Sequence, residues 1–450
     1  MASAAEQLAS NLSLGTFSKA TELKKRIWFT LGALIVYRLG TYIPVPGIDA
    51  RVMGELLLQH GGGILGMVNM FSGGALGRAT VFALNIMPYI SASIIVQLMT
   101  AAVPALESLK KEGESGRKKM NQYTRYLTML IALFQSYGFA IGLEGMHSEH
   151  SGAAAVINPG PFFILSCVVT LVGGTMFLMW LGEQITARGV GNGISLIIFA
   201  GIIANLPNSL GYLLAEGRTG ALSPFFILGF FVFALLVIMF VVFMERAQRR
   251  VVIQYPKRQV GQRMFGGDST HMPLKLNTAG VIPPIFASSI LLIPATITGF
   301  AGQNPGSWTS FVAQQLSHGA PLYLALYAGL IIFFSYFYTA VVFNPQETAD
   351  NLKKYGGFVP GIRPGTATAE YFDRVLTRLT TVGALYLCAV CLLPEILISG
   401  YKVPFYFGGT SLLILVSVTM DTVTQIQSHL LAHQYEGLIR KNRAKGARVR

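Results

Sequence analysis

The chain has 450 residues, of which 52% are hydrophobic and only 12% are Asp, Glu, Lys or Arg. A soluble domain carries about 25% charged residues, whereas here apolar runs of about 20 residues, enough to cross a hydrocarbon core roughly 30 Å thick, recur from end to end. That excludes an ordinary soluble domain, and the net charge of +14 takes its meaning from where the basic residues fall.

In chain order, ten apolar stretches read as membrane spans, near 27–42, 79–101, 122–143, 161–181, 194–210, 223–244, 280–300, 321–342, 375–399 and 406–427. Ahead of the first, Lys19, Lys24 and Lys25 are not followed by an apolar core and a small-residue cleavage site. No cleaved signal peptide is therefore expected. Arg38 falls near the end of the first span, where a long side chain can snorkel to the interface. Between spans one and two, "GGGILGMVNMFSGGALGRA" (61–79) is apolar yet too short and too glycine-rich to span. Non-helical backbone at membrane depth is tolerated only where it is buried in protein or faces water. The segment reads either as a small cork or as an external loop lying on the protein.

The second stretch contains "NIMPYISASI" (85–94), where Ile86, Ile90 and Ile94 recur every four residues beside Asn85, Pro88, Ser91 and Ser93. A proline and an amide suit a helix that faces protein or water better than one in bulk lipid. On spacing alone, ordinary helix packing by the isoleucines is the competing reading. "GVGNG" (189–193) precedes a membrane helix and reads as a tight turn. The fifth span is the weakest, because "ISLIIFAGIIANLP" is short and is expected to end at its proline, and the seventh is interrupted by Pro283, Pro284 and Pro294.

Two later loops are long. The stretch 245–277 alternates apolar and polar residues around "YPKRQ", the pattern of a protruding hairpin. In 344–374, "GGFVPGIRPG" combines prolines that fix φ with glycines that supply positive-φ positions, which holds Arg363 at the tip of a stiffened loop. That punctuation suits partner binding better than a simple charge anchor. Cys388 and Cys391 have CxxC spacing but lie within "LYLCAVCLL", so they read as small apolar residues one turn apart. "HLLAH", with His429 and His433, lacks the glutamate of HExxH, and no metal or cofactor is assigned.

The positive-inside rule orients the chain. With the N-terminus in the cytoplasm, 29 of the 34 Lys and Arg fall in cytoplasmic segments. The other five are Arg38, Arg51, Arg78, Arg218 and Lys402. This requires an even span count and a cytoplasmic tail ending "IRKNRAKGARVR". The basic residues then mark a membrane face, although a role for the largest loops in touching phosphate stays open. Ten spans divide into five and five around the polar stretch near 207–222, and an odd number per half inverts the second half, the topology of inverted repeats. No residue-level repeat accompanies that inference.

Ion-driven transporters carry acids or histidines deep in their helices, but Glu183 and Asp421 fall toward cytoplasmic ends and Glu395 toward the outside. No Gly-x-Ser-x-Gly, HExxH, paired intramembrane carboxylate or phosphate loop occurs, so no enzyme is expected and any energy source lies elsewhere. A small-solute transporter and an intramembrane enzyme are the competing classes. The first predicts saturable uptake and a polar midplane site, and the second a catalytic set.

The stretches "MFSGGALGRATVFALNIMPYISASIIVQLM", "KKEGESGRKKMNQYTRY", "GNGISLIIFAGI", "STHMPLKLNTAGVIPPIFASSI", "GGFVPGIRPG" and "VPFYFGGTSLLILV" resemble the SecY/Sec61-alpha family, in order, from about residue 15 to 440. The resemblance implies an all-α polytopic membrane protein, ten transmembrane helices in two inverted five-helix halves forming a clamshell around a central pore. The implied parts are a cytoplasmic arm (1–26), an N-terminal half (27–210), an external hinge (211–222), a C-terminal half (223–427) with cytoplasmic loops 245–279 and 343–374, and a basic cytoplasmic tail (428–450).

Carried onto matching positions, the family's apolar pore ring is Ile86, Ile90, Ile194, Ile198, Ile285 and Ile414. Its plug lies near 62–77 and includes Ile64, Met67, Met70, Phe71, Gly73 and Gly74. The lateral gate between spans two and seven includes Ser91, Ile94, Ser289 and Ile293. Arg363, Lys257, Arg258, Arg263 and Lys275 match loop residues that meet the motor or the ribosome. The implied function is translocation of secretory polypeptides across the bacterial inner membrane, with sideways release of apolar segments into lipid. Implied partners are SecE and SecG, the SecA motor ATPase, the ribosome, signal-sequence-bearing polypeptides, lipids, YidC and SecDF.

Overall fold

The computed structural model describes residues 21–49, 52–53, 69, 72–145, 154–219, 223–255, 258–260, 263–265, 269–300, 315, 320–401 and 409–448. The architecture is helical. In chain order the helices are α1 (Thr21–Gly40), α2 (Met87–Ala102), α3 (Pro104–Lys111), α4 (Glu114–Glu144), α5 (Pro161–Arg188), α6 (Gly193–Thr219) and α7 (Pro224–Arg246). Four short strands follow: β1 (Gln248–Gln254), β2 (Arg258–Val260), β3 (Arg263–Phe265) and β4 (Ser269–Lys275). Then come α8 (Ile282–Phe300), α9 (Pro321–Val342), α10 (Pro345–Lys354), α11 (Thr366–Tyr401) and α12 (Gly409–Arg448). Each expected span coincides with one helix. Among the described residues, seven helices are long and apolar enough to cross a membrane, or eight if the bent pair α2–α3 is one span.

Helix boundaries follow from local chemistry. Pro88 sits in the first turn of α2, where a missing N–H costs no helical bond. Before it, residues 81–86 form turns rather than the expected helix, and Asn85 adopts φ +50°, a left-handed conformation that its short polar side chain tolerates. The proline and amide of "NIMPYISASI" thus mark the start of a helix rather than a break inside one. Val103 is extended (φ −109°, ψ 115°) because Pro104 follows it, and α2 and α3 meet at 102°. Ser223 caps α7, its side-chain oxygen accepting from the Phe226 N–H, with Pro224 at the first helical position. The fifth span does not end at its proline: α6 continues through Pro207 to Thr219, since one lost backbone bond is tolerated when the flanking turns hold.

The chain forms two compact units, Met1–Ala92 with Gln122–Asn208 and Ile414–Arg450, and Ser93–Asn121 with Ser209–Leu413. In the first, α1 packs on α5. The strand-like 43–48 stretch bridges Thr80 through Pro44 and Val156 through Ile48. Val45, Leu76, Ala83, Leu143, Phe163 and Leu171 are among the residues of its apolar core. Gly174 of α5 lets the chain at Val81 come close, because a Cβ there would overlap the Val81 carbonyl oxygen.

The "GVGNG" turn is gripped from two sides. The Thr30 hydroxyl oxygen of α1 accepts from Val190 N (3.1 Å), and the Gln425 side-chain oxygen of α12 accepts from Gly191 N (2.8 Å). Leu23, Val190 and Leu430 close an apolar cluster beside it.

In the second unit α9 packs between α8 and α11. Tyr327 and Thr410 share a 2.7 Å hydroxyl–hydroxyl bond, and Phe286 meets Phe334 edge-on at 5.6 Å. The stretch expected to form a hairpin does so: β1 and β4 pair antiparallel from Gln248↔Lys275 to Gln254↔Ser269, and β2 pairs with β3 beyond them.

Candidate functional site

Ile86 immediately precedes α2 and Ile90 lies one turn on, its N–H bonded to the Ile86 carbonyl at 3.0 Å. Both are buried, as is Ile94. Ile194 and Ile198 occupy the first two turns of α6; Ile198 is buried, Ile194 is partly buried, and a Cβ on Gly182 would touch Ile194 at 3.1 Å. Ile414, near the start of α12, is buried. Ile86, Ile90, Ile194, Ile198 and Ile414 belong to the first unit, whereas Ile94 and Ile285, the latter partly buried on α8, belong to the second. Among the gate residues Ser91 and Ser289 are buried, and the Ser289 hydroxyl donates to the Ile285 carbonyl at 2.8 Å, which satisfies it within its own helix. Ile293 lies on α8.

Of the plug residues, Ile64, Met67, Met70 and Phe71 lie outside the described residues. Gly73 and Gly74 follow directly in left-handed conformations (φ +68° and +83°) that favour glycine. The turns they open are held by polar contacts. Arg38 Nη1 donates to the Gly73 carbonyl at 2.8 Å, and the Tyr37 hydroxyl donates to the Ser72 carbonyl at 3.3 Å. Gly77 N donates to Asn69 Oδ1 at 2.7 Å, and Asn205 of α6 donates to the Asn69 carbonyl at 3.4 Å. Arg38 therefore turns back onto the 72–77 turns rather than simply snorkelling.

Arg363 and Lys275 belong to one module of the second unit. The 344–374 loop is stitched to β1 by reciprocal Gln254–Phe358 backbone bonds of 2.9 and 3.0 Å. Beneath the ladder, Val251, Leu274, Val359, Phe372, Val375 and Leu376 form an apolar core with the base of α11. Gly356, Gly361 and Gly365 adopt the positive φ values that the loop's punctuation suggested. Arg363 is exposed at the turn, with the Thr368 hydroxyl bonded to its carbonyl at 2.8 Å. Lys275 is exposed on β4, Arg258 and Arg263 lie on β2 and β3, and Lys257 falls outside the described residues. Arg249, Arg250, Lys353 and Lys354 add exposed positive charge.

Two polar constellations carry no sequence signal. One is the bidentate Arg125–Glu183 pair between α4 and α5, at 3.0 and 2.6 Å. The other is Asn277, which donates at 2.7 Å to Glu245 at the end of α7 and at 3.0 Å to the Gly280 carbonyl just before α8. Arg125 and Glu183 are 58 positions apart, and Glu245 and Asn277 are 32 apart.

These elements define a multi-pass helical membrane protein with a structured extramembrane module. The chain belongs to the SecY family. The family's sequence model, described as SecY, matches residues 80–423. The chain is 58% identical over 426 residues to "Protein translocase subunit SecY" of Escherichia coli (strain K12), covering 94% of this chain and 96% of that protein. It is 56% identical over 433 residues to the protein of the same name in Vibrio cholerae serotype O1, covering 95% and 96%. The fold is similar to "The structure of a protein conducting channel" (TM-score 0.63, 16% identity, 90% of this chain and 92% of that one). It is also similar to "Sec61 in the Canine ribosome-channel complex from the endoplasmic reticulum" (TM-score 0.62, 17% identity, 90% and 92%).

Proposed function

We propose that this chain is the pore subunit of a channel that conducts secretory polypeptides across the bacterial inner membrane and releases apolar segments sideways into lipid. The observation that carries the reading is the 58% identity, over 94% of the chain, to a protein translocase subunit. The six family ring positions are all isoleucine here. A constriction lined by branched apolar side chains seals because water in it is unstable and an ion must shed its hydration to pass. Isoleucine offers no hydrogen bond, so a polypeptide slides by without sticking. Ile86, Ile90, Ile194, Ile198, Ile285 and Ile414 form this seal, and the segment from Ile64 to Gly74 blocks it from the outer side.

A signal sequence, itself an apolar helix, enters between the spans bearing Ser91 and Ile94 and those bearing Ser289 and Ile293. It opens the channel through its differential affinity for the open state. The two halves hinge at 211–222. Both termini lie in the cytoplasm, which the distribution of Lys and Arg supports. The chain does no chemistry, so the work comes from partners: the SecA motor or the ribosome, docking at Arg363, Lys257, Arg258, Arg263 and Lys275. SecE and SecG clamp the halves, and YidC and SecDF act alongside.

Cross-linking tests the reading. A secretory chain stalled in transit is expected to cross-link to photoreactive groups placed at positions 90 and 198, and the purified chain to bring down a small helical membrane subunit. Stalled chains that label lipid-facing positions of α7 equally well would refute it. Arg363→Glu is expected to lower motor-driven export several-fold while the variant itself still inserts; equal export from variant and parent vesicles would remove Arg363 from the docking site.

A further inference from the structure

Arg38, in the last turn of α1, and Arg78, in the turns before α2, direct both guanidiniums at one aromatic ring. Their Cζ atoms lie 4.9 and 4.3 Å from the centroid of Tyr42. Two like charges thus share a single tyrosine. The ion pairs among the described residues are Lys119–Glu112 and Arg125–Glu183, so neither arginine has a carboxylate partner there. Their hydrogen-bond partners are neutral. Arg38 donates to the Gly73 carbonyl (2.8 Å), the Tyr42 hydroxyl (2.9 Å) and the Thr41 hydroxyl (3.3 Å). Arg78 reaches the Thr41 carbonyl at 3.4 Å, which leaves most of its five donors without a protein partner among the described residues. Two adjacent cations with spare donors are suited to an anion, and the planar fork of arginine fits phosphate oxygens two at a time.

The surroundings identify the kind of anion. Ile35, Leu39, Tyr42 and Ile43 are 60%, 65%, 55% and 56% exposed, and the stripe continues along α1 through Leu31 and Trp28. From residue 28 to 39 the helix rises about 16 Å, close to the roughly 15 Å of one leaflet's hydrocarbon. A paired positive site at the head of an acyl-length apolar stripe matches a lipid. A free phosphate or the carboxylate of a passing chain would make no use of the stripe.

We propose that Arg38, Arg78 and Tyr42 bind the phosphate of an anionic phosphodiester lipid headgroup, with an acyl chain lying along Ile35 and Leu39. Because Arg38 also holds Gly73, the bound headgroup contacts a side chain that anchors the 72–77 turns.

The test uses the full-length chain with its co-purifying subunits, in nanodiscs of phosphatidylcholine into which phosphatidylglycerol is titrated. Phosphatidylglycerol retained after partial delipidation is counted by native mass spectrometry. The parent is expected to hold one phosphatidylglycerol more than Arg78→Gln, whose affinity falls about tenfold or more, as the loss of charged hydrogen bonds implies. Arg78→Lys, which keeps the charge without the fork, is expected to fall between them, and Arg218→Gln, an exposed arginine elsewhere, to match the parent. If Arg78→Gln proves unfolded by its Tm, Arg78→Lys decides, and parental retention in that variant overturns the site. Equal retention by folded Arg78→Gln, displacement by inorganic phosphate at equal concentration, or displacement by an acidic peptide would each overturn it.

Discussion

The 72–86 turns and the hairpin–loop module are both non-helical structure attached to membrane helices, yet they are held by different mixtures of contact. The turns bury Leu76 and Ala83 in the first unit's apolar core and add side-chain contacts to their backbone, chiefly Arg38 to Gly73, Tyr37 to Ser72 and Asn69 to Gly77. The module rests on a β-ladder over an apolar core in which Phe372 is fully buried. A hydrogen bond can be exchanged for water at a small net cost, whereas opening an apolar core exposes area in proportion to its size. Under the proposed function the module that must bear a partner is the part held by a ladder over a packed core.

Three substitutions test that contrast, in descending order of expected effect. Phe372→Ala removes the centre of the module and is expected to destabilise it by about 3–5 kcal/mol, read as faster proteolysis within 245–279. If cleavage rates match the parent, the core is not what holds the loops. Arg38→Gln removes a charged donor from Gly73 and is expected to weaken the turns by about 1.5–3 kcal/mol. Amide exchange at residues 74–77 should then quicken while the β1–β4 amides keep parental rates; equal quickening in both regions would erase the distinction. Arg125→Lys breaks the bidentate geometry of a half-exposed pair and is expected to cost under about 1 kcal/mol, a Tm shift of a degree or two at most. A larger shift would mean that the pair is a structural anchor of α4 on α5.

What the sequence made legible follows from how far each signal reaches. Hydropathy located each of the seven described helices long and apolar enough to cross a membrane, because an apolar run of the right length is a local property. The alternation around "YPKRQ" announced the hairpin, and "GGFVPGIRPG" announced its positive-φ turns. Where local reading failed, neighbours decided. Pro88 reads as lying inside a span that begins near 79 and instead starts α2, because Asn85 reverses the chain before it. Pro207 looked like an end and is passed by α6.

The contacts that hold the site together were invisible in the sequence. Arg38 and Gly73 are 35 residues apart, and Arg125 and Glu183 are 58 apart. Nothing in either stretch names the other. The assignment of the isoleucines to a ring rests on the family resemblance alone, since a four-residue spacing describes any packed helix.

Ion conductance of the resting channel in planar bilayers addresses the central claim most directly. Ile90→Asn puts a hydrogen-bonding amide at the proposed seal and is expected to hydrate it, so that the reconstituted channel passes ions in the absence of any substrate chain, while the parent stays closed. A variant channel as tight as the parent would mean that Ile90 does not line the barrier.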